Sequence, residues 1–222
     1  MRMRRKPWAR PELDASLIYI KNPHDYYGKW QTAFEKDQPL CLELGCGKGY
    51  FLSQKGPACP DKNFLGLDIK SDVLGNAKRN IEAAYGSAEC PNMRIAAFNI
   101  EKITLILSPE DKVDEIYINF CNPWPKPKHR KHRLTHTRQL ESYKTFLRKD
   151  GLIYFKTDDD ELFKDSLVYF KEAGFSLKFT TYDLHSDPWP DNYLTEYEEK
   201  FTREGVKIKA LIAKNMRDKT GE

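Results

Sequence analysis

The chain has 222 residues, 40% hydrophobic and 32% charged, with 37 Lys and Arg against 33 Asp and Glu, for a net charge of +4. That length suits one sizeable α/β domain, and the composition, with no long apolar run, excludes a disordered or membrane-spanning chain. The five cysteines (Cys41, Cys46, Cys59, Cys90 and Cys121) form no CxxC pair, so neither a disulfide framework nor a metal site is read from them.

The opening Met-Arg-Met-Arg-Arg-Lys-Pro-Trp lacks the apolar core of a signal peptide, and a cytoplasmic location is expected. Arg2, Arg4, Arg5, Lys6 and Arg10 make residues 1–12 a basic arm, expected to be flexible. Leu40–Leu44 reads as a first strand ending in glycines, followed by a helix from about Tyr50. Asn63–Ile69 is a second strand, Asp72–Tyr85 a helix, Met93–Phe98 a third strand and Val113–Phe120 a fourth. A helix is expected from Thr135 to Leu147, stopped by Lys-Asp-Gly at 149–151, then a fifth strand at Leu152–Thr157 and a helix at Glu161–Glu172. Phe175–Leu184 and Val206–Ala213 are the last strands, with a helical piece near Thr195–Arg203. The alternation predicts a single α/β domain over 1–222: a Rossmann-like, doubly wound, seven-stranded, mostly parallel sheet with an antiparallel C-terminal strand and helices on both faces. Ligands in such sheets bind at the carboxyl ends of the strands.

The first of those ends carries Glu43-Leu44-Gly45-Cys46-Gly47-Lys48-Gly49. Its glycines permit a sharp turn and close approach of a ligand. The spacing is G-x-G-x-G, which is neither the dinucleotide fingerprint nor a phosphate-binding G-x-x-x-x-G-K-[ST]. Asp68 ends the second strand, where a carboxylate meets a ribose. Glu43, this glycine turn and Asp68 together resemble the class I S-adenosylmethionine-dependent methyltransferases. The resemblance implies that Gly45 and Gly47 pass close to the methyl donor, Asp68 holds the ribose hydroxyls and Asn99 meets the adenine. Alternatively, Asn99 caps the turn after it and Glu43 pairs with Lys48.

The fourth strand ends in Cys121-Asn122-Pro123-Trp124-Pro125, a rigid elbow that cannot be helix. Five Lys or Arg and two His occupy the eight positions from Lys126 to Arg133, either a site for phosphate oxygens or a solvated charge run. The elbow with its basic run to Thr135, Lys156-Thr157-Asp158 and Thr195-Glu196-Tyr197-Glu198 join the glycine turn in the same order as in the bacterial tRNA (guanine-N7)-methyltransferase family, which the chain closely resembles from about Arg4 to Lys214.

This second resemblance implies S-adenosylmethionine as cofactor and tRNA as partner, with the guanine of the variable loop as target. It assigns Glu43, Asp68, Asn99 and Asn122 to the donor, and Lys126, Asp158, Thr195, Glu196, Tyr197 and Glu198 to the guanosine. Arg130 and Arg133, with Lys126, are expected on phosphates. One departure stands out: the family reads Asp-Pro-Trp-Pro where this chain has Asn122, the expected catalytic position. Asp187-Pro188-Trp189-Pro190 repeats the literal motif, but no basic run follows it, and it is read as a loop. Two other readings stay open, a methyltransferase acting on another substrate and a tRNA-binding relative without turnover. The oligomeric state, monomer or homodimer, is not fixed.

Overall fold

Leu40, Cys41, Leu42, Glu43 and Leu44 are all buried, as a strand covered on both faces must be. This strand, β2 (Leu40–Leu44), lies at the middle of the sheet in the computed structural model, which describes residues 6–189 and 192–216. The N-terminal part also supplies α1 (Ala9–Asp14), the two-residue β1 (Tyr19–Ile20), α2 (Tyr50–Ala58) and β3 (Asn63–Asp68). Next come α3 (Ser71–Tyr85), β4 (Met93–Ala97), β5 (Val113–Asn119), α4 (Thr137–Lys144) and β6 (Leu147–Thr157). The last elements are α5 (Asp160–Glu172), β7 (Phe175–Thr181), α6 (Glu196–Arg203) and β8 (Lys209–Asn215).

The strands lie in the order β1-β4-β3-β2-β5-β6-β8-β7, parallel except for β8, which runs antiparallel to both of its neighbours. The expected architecture therefore holds, with one more strand than expected. Tyr19 and Ile20 pair with Ile95 and Ala96 at the edge, too short a segment to carry a strand period. The second difference lies between 135 and 157. The helix stops at Lys144, and Leu147 already pairs with Val113; the Lys-Asp-Gly turn is a bulge inside one long strand, with Asp150 at φ 64°. The third concerns the basic arm. Residues 1–5 lie outside the described residues, but from Ala9 the chain is helical, with Ala9 and Leu13 fully buried, and α1 packs on α3.

Two apolar layers sandwich the sheet. One joins Leu13, Phe51, Leu74 and Ile81 to Phe64 and Tyr117, and the other joins Trp30, Leu140, Phe163 and Phe170 to the opposite face. The chain moves outward from β2 through β3 and β4, then crosses back to place β5 on the other side of β2. That reversal opens a crevice at the carboxyl ends of β2 and β5, where the glycine turn and the Pro-Trp-Pro elbow begin.

Candidate active site

The glycine turn leaves β2 with Gly45, Gly47 and Gly49 all at positive φ. At Gly49 a side chain is excluded twice, because its Cβ would lie 2.9 Å from the Cβ of Ala77 on α3. At Gly47 a Cβ would meet nothing closer than 4.0 Å, so the turn borders open space. Asp68 braces it: Oδ2 accepts from the Gly47 N–H at 3.1 Å and Oδ1 from the Lys70 N–H at 2.9 Å. Asn99 caps the turn after β4 by accepting from the Glu101 N–H, which leaves its amide NH₂ unengaged among the described residues. The alternative pairing of Glu43 with Lys48 is not found, since Lys48 bonds Glu196 at 2.7 Å.

Glu43 is 3% exposed, and its Oε1 accepts from Asn119 Nδ2 at 2.9 Å. Its Oε2 and the Asn119 Oδ1 are buried with no hydrogen-bond partner among the described residues. Burial without a full set of partners pushes the Glu43 carboxyl up to about 8. A cation placed at Oε2 would satisfy the orphaned oxygen and restore the ionised form, which is the fit expected of a positively charged methyl donor.

The elbow after β5 is held in sparsely populated backbone geometry, with Phe120 at φ 52° and Trp124 at φ 45°. Asn122 is exposed, and its Oδ1 accepts from the Trp124 N–H at 3.1 Å, closing the turn. Lys126 and Lys128 are exposed, and Lys131 with them. Arg133 corrects the expectation for phosphate. It is 0% exposed, donates from Nε to the Pro123 carbonyl at 2.6 Å and pairs with Asp165 on α5, so it pins the elbow from inside. Arg130 is half-way between, partly exposed and paired with Glu161 and Asp165.

The residues expected at the guanosine converge from β6 and α6. Thr195 caps α6 by accepting from the Glu198 N–H at 3.0 Å, and Tyr197, exposed, stacks on Phe120 at 6.0 Å. Glu196 reaches the glycine turn through Lys48. Glu198 differs from expectation as well. It is fully buried, with Oε2 accepting from Lys156 Nζ at 2.7 Å and Oε1 from Asn192 Nδ2 at 2.9 Å, so neither oxygen is open to a base. Burial pulls the Lys156 pKa down while Glu198 opposes it. Asp158 is half-buried, and desolvation raises its pKa; its carboxylate accepts no hydrogen bond from the side chain of any other described residue.

Asp187 lies exposed in a turn, its N–H bonded to the Asp183 carbonyl, and Trp189 is core against Tyr154 and Phe179; Pro190 is outside the described residues. Sequence reading missed Asn119 and Asn192 as partners of the two buried glutamates. Asn119 did leave a signal, a polar residue closing an apolar strand. No helix among the described residues is long and apolar enough to cross a membrane.

A family model described as "Putative methyltransferase" matches residues 37–211. The tRNA (guanine-N(7)-)-methyltransferase of Clostridium beijerinckii is 57% identical over 215 residues, covering 96% of this chain and 98% of that protein. Its namesake in Clostridium perfringens is 51% identical over 219 residues, 97% of this chain and all of that protein. Among solved structures, the 16S rRNA methyltransferase KamB superposes with a TM-score of 0.62 at 15% identity, covering 84% of this chain and 92% of that one. A 16S rRNA adenine methyltransferase from Catenulisporales acidiphilia, solved with its cosubstrate SAM, gives 0.58 at 13% identity, covering 90% and 94%. The structural likenesses establish the fold, and the sequence identities over nearly the whole length establish that the chain belongs to the tRNA (guanine-N7)-methyltransferase family.

Proposed function

We propose that this chain transfers a methyl group from S-adenosylmethionine to N7 of the variable-loop guanine of tRNA. The observation that carries the reading is a juxtaposition: a buried carboxylate with an unpartnered oxygen ends β2, and an exposed cationic elbow ends the neighbouring β5. When bound, S-adenosylmethionine supplies an electrophilic methyl carbon. Glu43 would balance its positive charge, Gly45 and Gly47 would leave room for it, Asp68 would take the ribose hydroxyls, and the free amide of Asn99 would meet the adenine. Asn122 would border the donor from the elbow.

Guanine N7 has a lone pair and no proton, so no general base is needed, and alignment of N7 with the methyl carbon is what the protein must provide. That requirement fits Asn122, whose side chain carries no charge but fixes the elbow through the Trp124 N–H. Asp158, desolvated and free of side-chain donors among the described residues, is the carboxylate suited to the guanine N1–H and N2–H, and its charge would offset the positive charge growing on the ring. Thr195, Glu196 and Tyr197 form the wall on that side, with Glu198 and Lys156 as its buried anchor. Lys126, Lys128 and Lys131 would meet phosphates, which supply affinity and register; Arg130 would join them only by giving up Glu161. A tRNA substrate accords with a cytoplasmic enzyme.

Unmodified tRNA incubated with the protein and S-adenosylmethionine should yield N7-methylguanosine by nucleoside mass spectrometry. The uncharged Asn122 also favours a second reading, a tRNA-binding relative without turnover. In that case tRNA binds, wild type yields no product, and Asn122→Asp yields it.

A further inference from the structure

Below the donor site, α2, the loop before β3, strands β5 and β6 and residues 189, 192 and 193 line a polar cleft of about 80 Å³. Three ammonium groups line it. Lys62 is paired with Glu115 at 2.8 Å and Lys156 with Glu198 at 2.7 Å. Lys55 has no such partner. It is only 7% exposed, its Nζ makes no hydrogen bond or ion pair with any described residue, and it rests 4.7 Å from the centre of the Tyr193 ring and 5.5 Å from that of Tyr117.

Ring faces return part of what a buried ammonium loses, but less than a counter-charge would. Lys55 also acts on Lys156, lowering its pKa, as two like charges facing one space should. Glu43, which shares Asn119 with the cleft, is pushed up to about 8 by burial and so stays protonated at neutral pH. Among the described residues, the cleft thus holds one positive charge in excess, on a side chain already oriented by two aromatic rings.

We propose that this cleft binds a small oxyanion or carboxylate, with Lys55 as its charged partner. The anion has two sources. One is the amino-acid carboxylate of S-adenosylmethionine, which rests on the donor assignment above; the other is a free anion such as phosphate.

Two measurements on wild type, Lys55→Met and Lys55→Arg separate these sources. Calorimetry with S-adenosylhomocysteine and with its decarboxylated analogue tests the first. If the donor carboxylate is the ligand, Lys55→Met binds S-adenosylhomocysteine about tenfold more weakly, binds the decarboxylated analogue as wild type does, and Lys55→Arg recovers most of the loss. Thermal melting in sodium phosphate against sodium chloride at matched ionic strength tests the second. If a free anion is the ligand, phosphate raises the melting temperature of wild type and Lys55→Arg by more than that of Lys55→Met. Phosphate bound at the exposed elbow raises all three alike and drops out of the difference. Removing an unpaired buried charge should leave Lys55→Met folded, and Lys55→Gln provides the same comparison should it not be. The inference is overturned if the neutral variant matches wild type in both measurements. A wild type that binds no S-adenosylhomocysteine would instead refute the donor assignment, and the phosphate comparison alone would then decide the cleft.

Discussion

Replacing Glu43 by Gln removes one titration from the centre of the site while keeping the side chain's shape and its acceptor for Asn119. The Glu43 carboxyl is raised from 4.5 to about 8, chiefly by desolvation. Below pH 4.5 it is protonated in the folded and the unfolded chain and has no effect on stability. Between 4.5 and 8 the unfolded chain loses the proton and the folded chain keeps it, so stability falls as pH rises and levels off above 8. The penalty reaches about 3 kcal/mol at pH 7 and about 5 kcal/mol at its limit, taking 1.36 kcal/mol per pH unit. Urea unfolding of both proteins from pH 4.5 to 8.5 should therefore give curves that coincide at the acid end and diverge steadily, the variant being the more stable. Taking the difference cancels every other titrating group. A donor cation should reverse the shift, so wild type should release a proton on binding S-adenosylmethionine and bind it more tightly as pH approaches 8. Calorimetry in two buffers of different ionisation enthalpy counts that proton. The variant should bind more weakly, with no proton released. A stability difference that stays flat across the pH range would refute the reasoning, because Glu43 would then be ionised in the free protein.

Three further outcomes are expected. Lys126→Ala with Lys128→Ala and Lys131→Ala should weaken tRNA binding and flatten the log–log salt dependence by about 0.7–0.9 for each phosphate no longer neutralised, measured by filter binding. Arg133→Met should cost about 1–3 kcal/mol in denaturant unfolding, because the Pro123 carbonyl loses its buried donor while Asp165, partly exposed, keeps Arg130. It should also lower tRNA methylation more than donor affinity. Asn122→Asp should change single-turnover methylation by no more than about tenfold, or ~1.4 kcal/mol of barrier, whereas Asp187→Ala should leave it unchanged.

The frame of the site was legible because its residues end strands. Glu43, Asp68, Asn99 and Asn122 each follow an apolar run, and a run that stops marks the crevice side of a parallel sheet. What was not legible was burial set by partners far away in sequence. Arg133 belongs to a run of cations that all look exposed, yet it alone turns inward, because Asp165 waits on α5. The acids Glu161 and Asp165, four residues apart on one helical face, were the available hint. Glu198 looked open for the same reason, its closure depending on Lys156 and Asn192 from separate segments. The Thr135–Leu147 helix was drawn too long because Phe146 and Leu147 suit either period, and only pairing with β5 decides between them.

The placement of β8 bears on how the protein is made. During synthesis β7 emerges before β8, yet among the described strands it pairs with β8 alone, and β8 is the one that joins it to β6. Until residues 209–215 leave the ribosome, β7 has no edge to add to, and the far side of β6 stays bare. Lys209 then delivers its ammonium to the Asp158 carbonyl and the Asp160 carboxylate. The Asp158 side of the crevice is therefore finished last, after the glycine turn and the elbow already stand on a partial sheet. Pairings this distant form slowly, which makes the nascent edge of β6 the stretch most in need of shielding while translation ends.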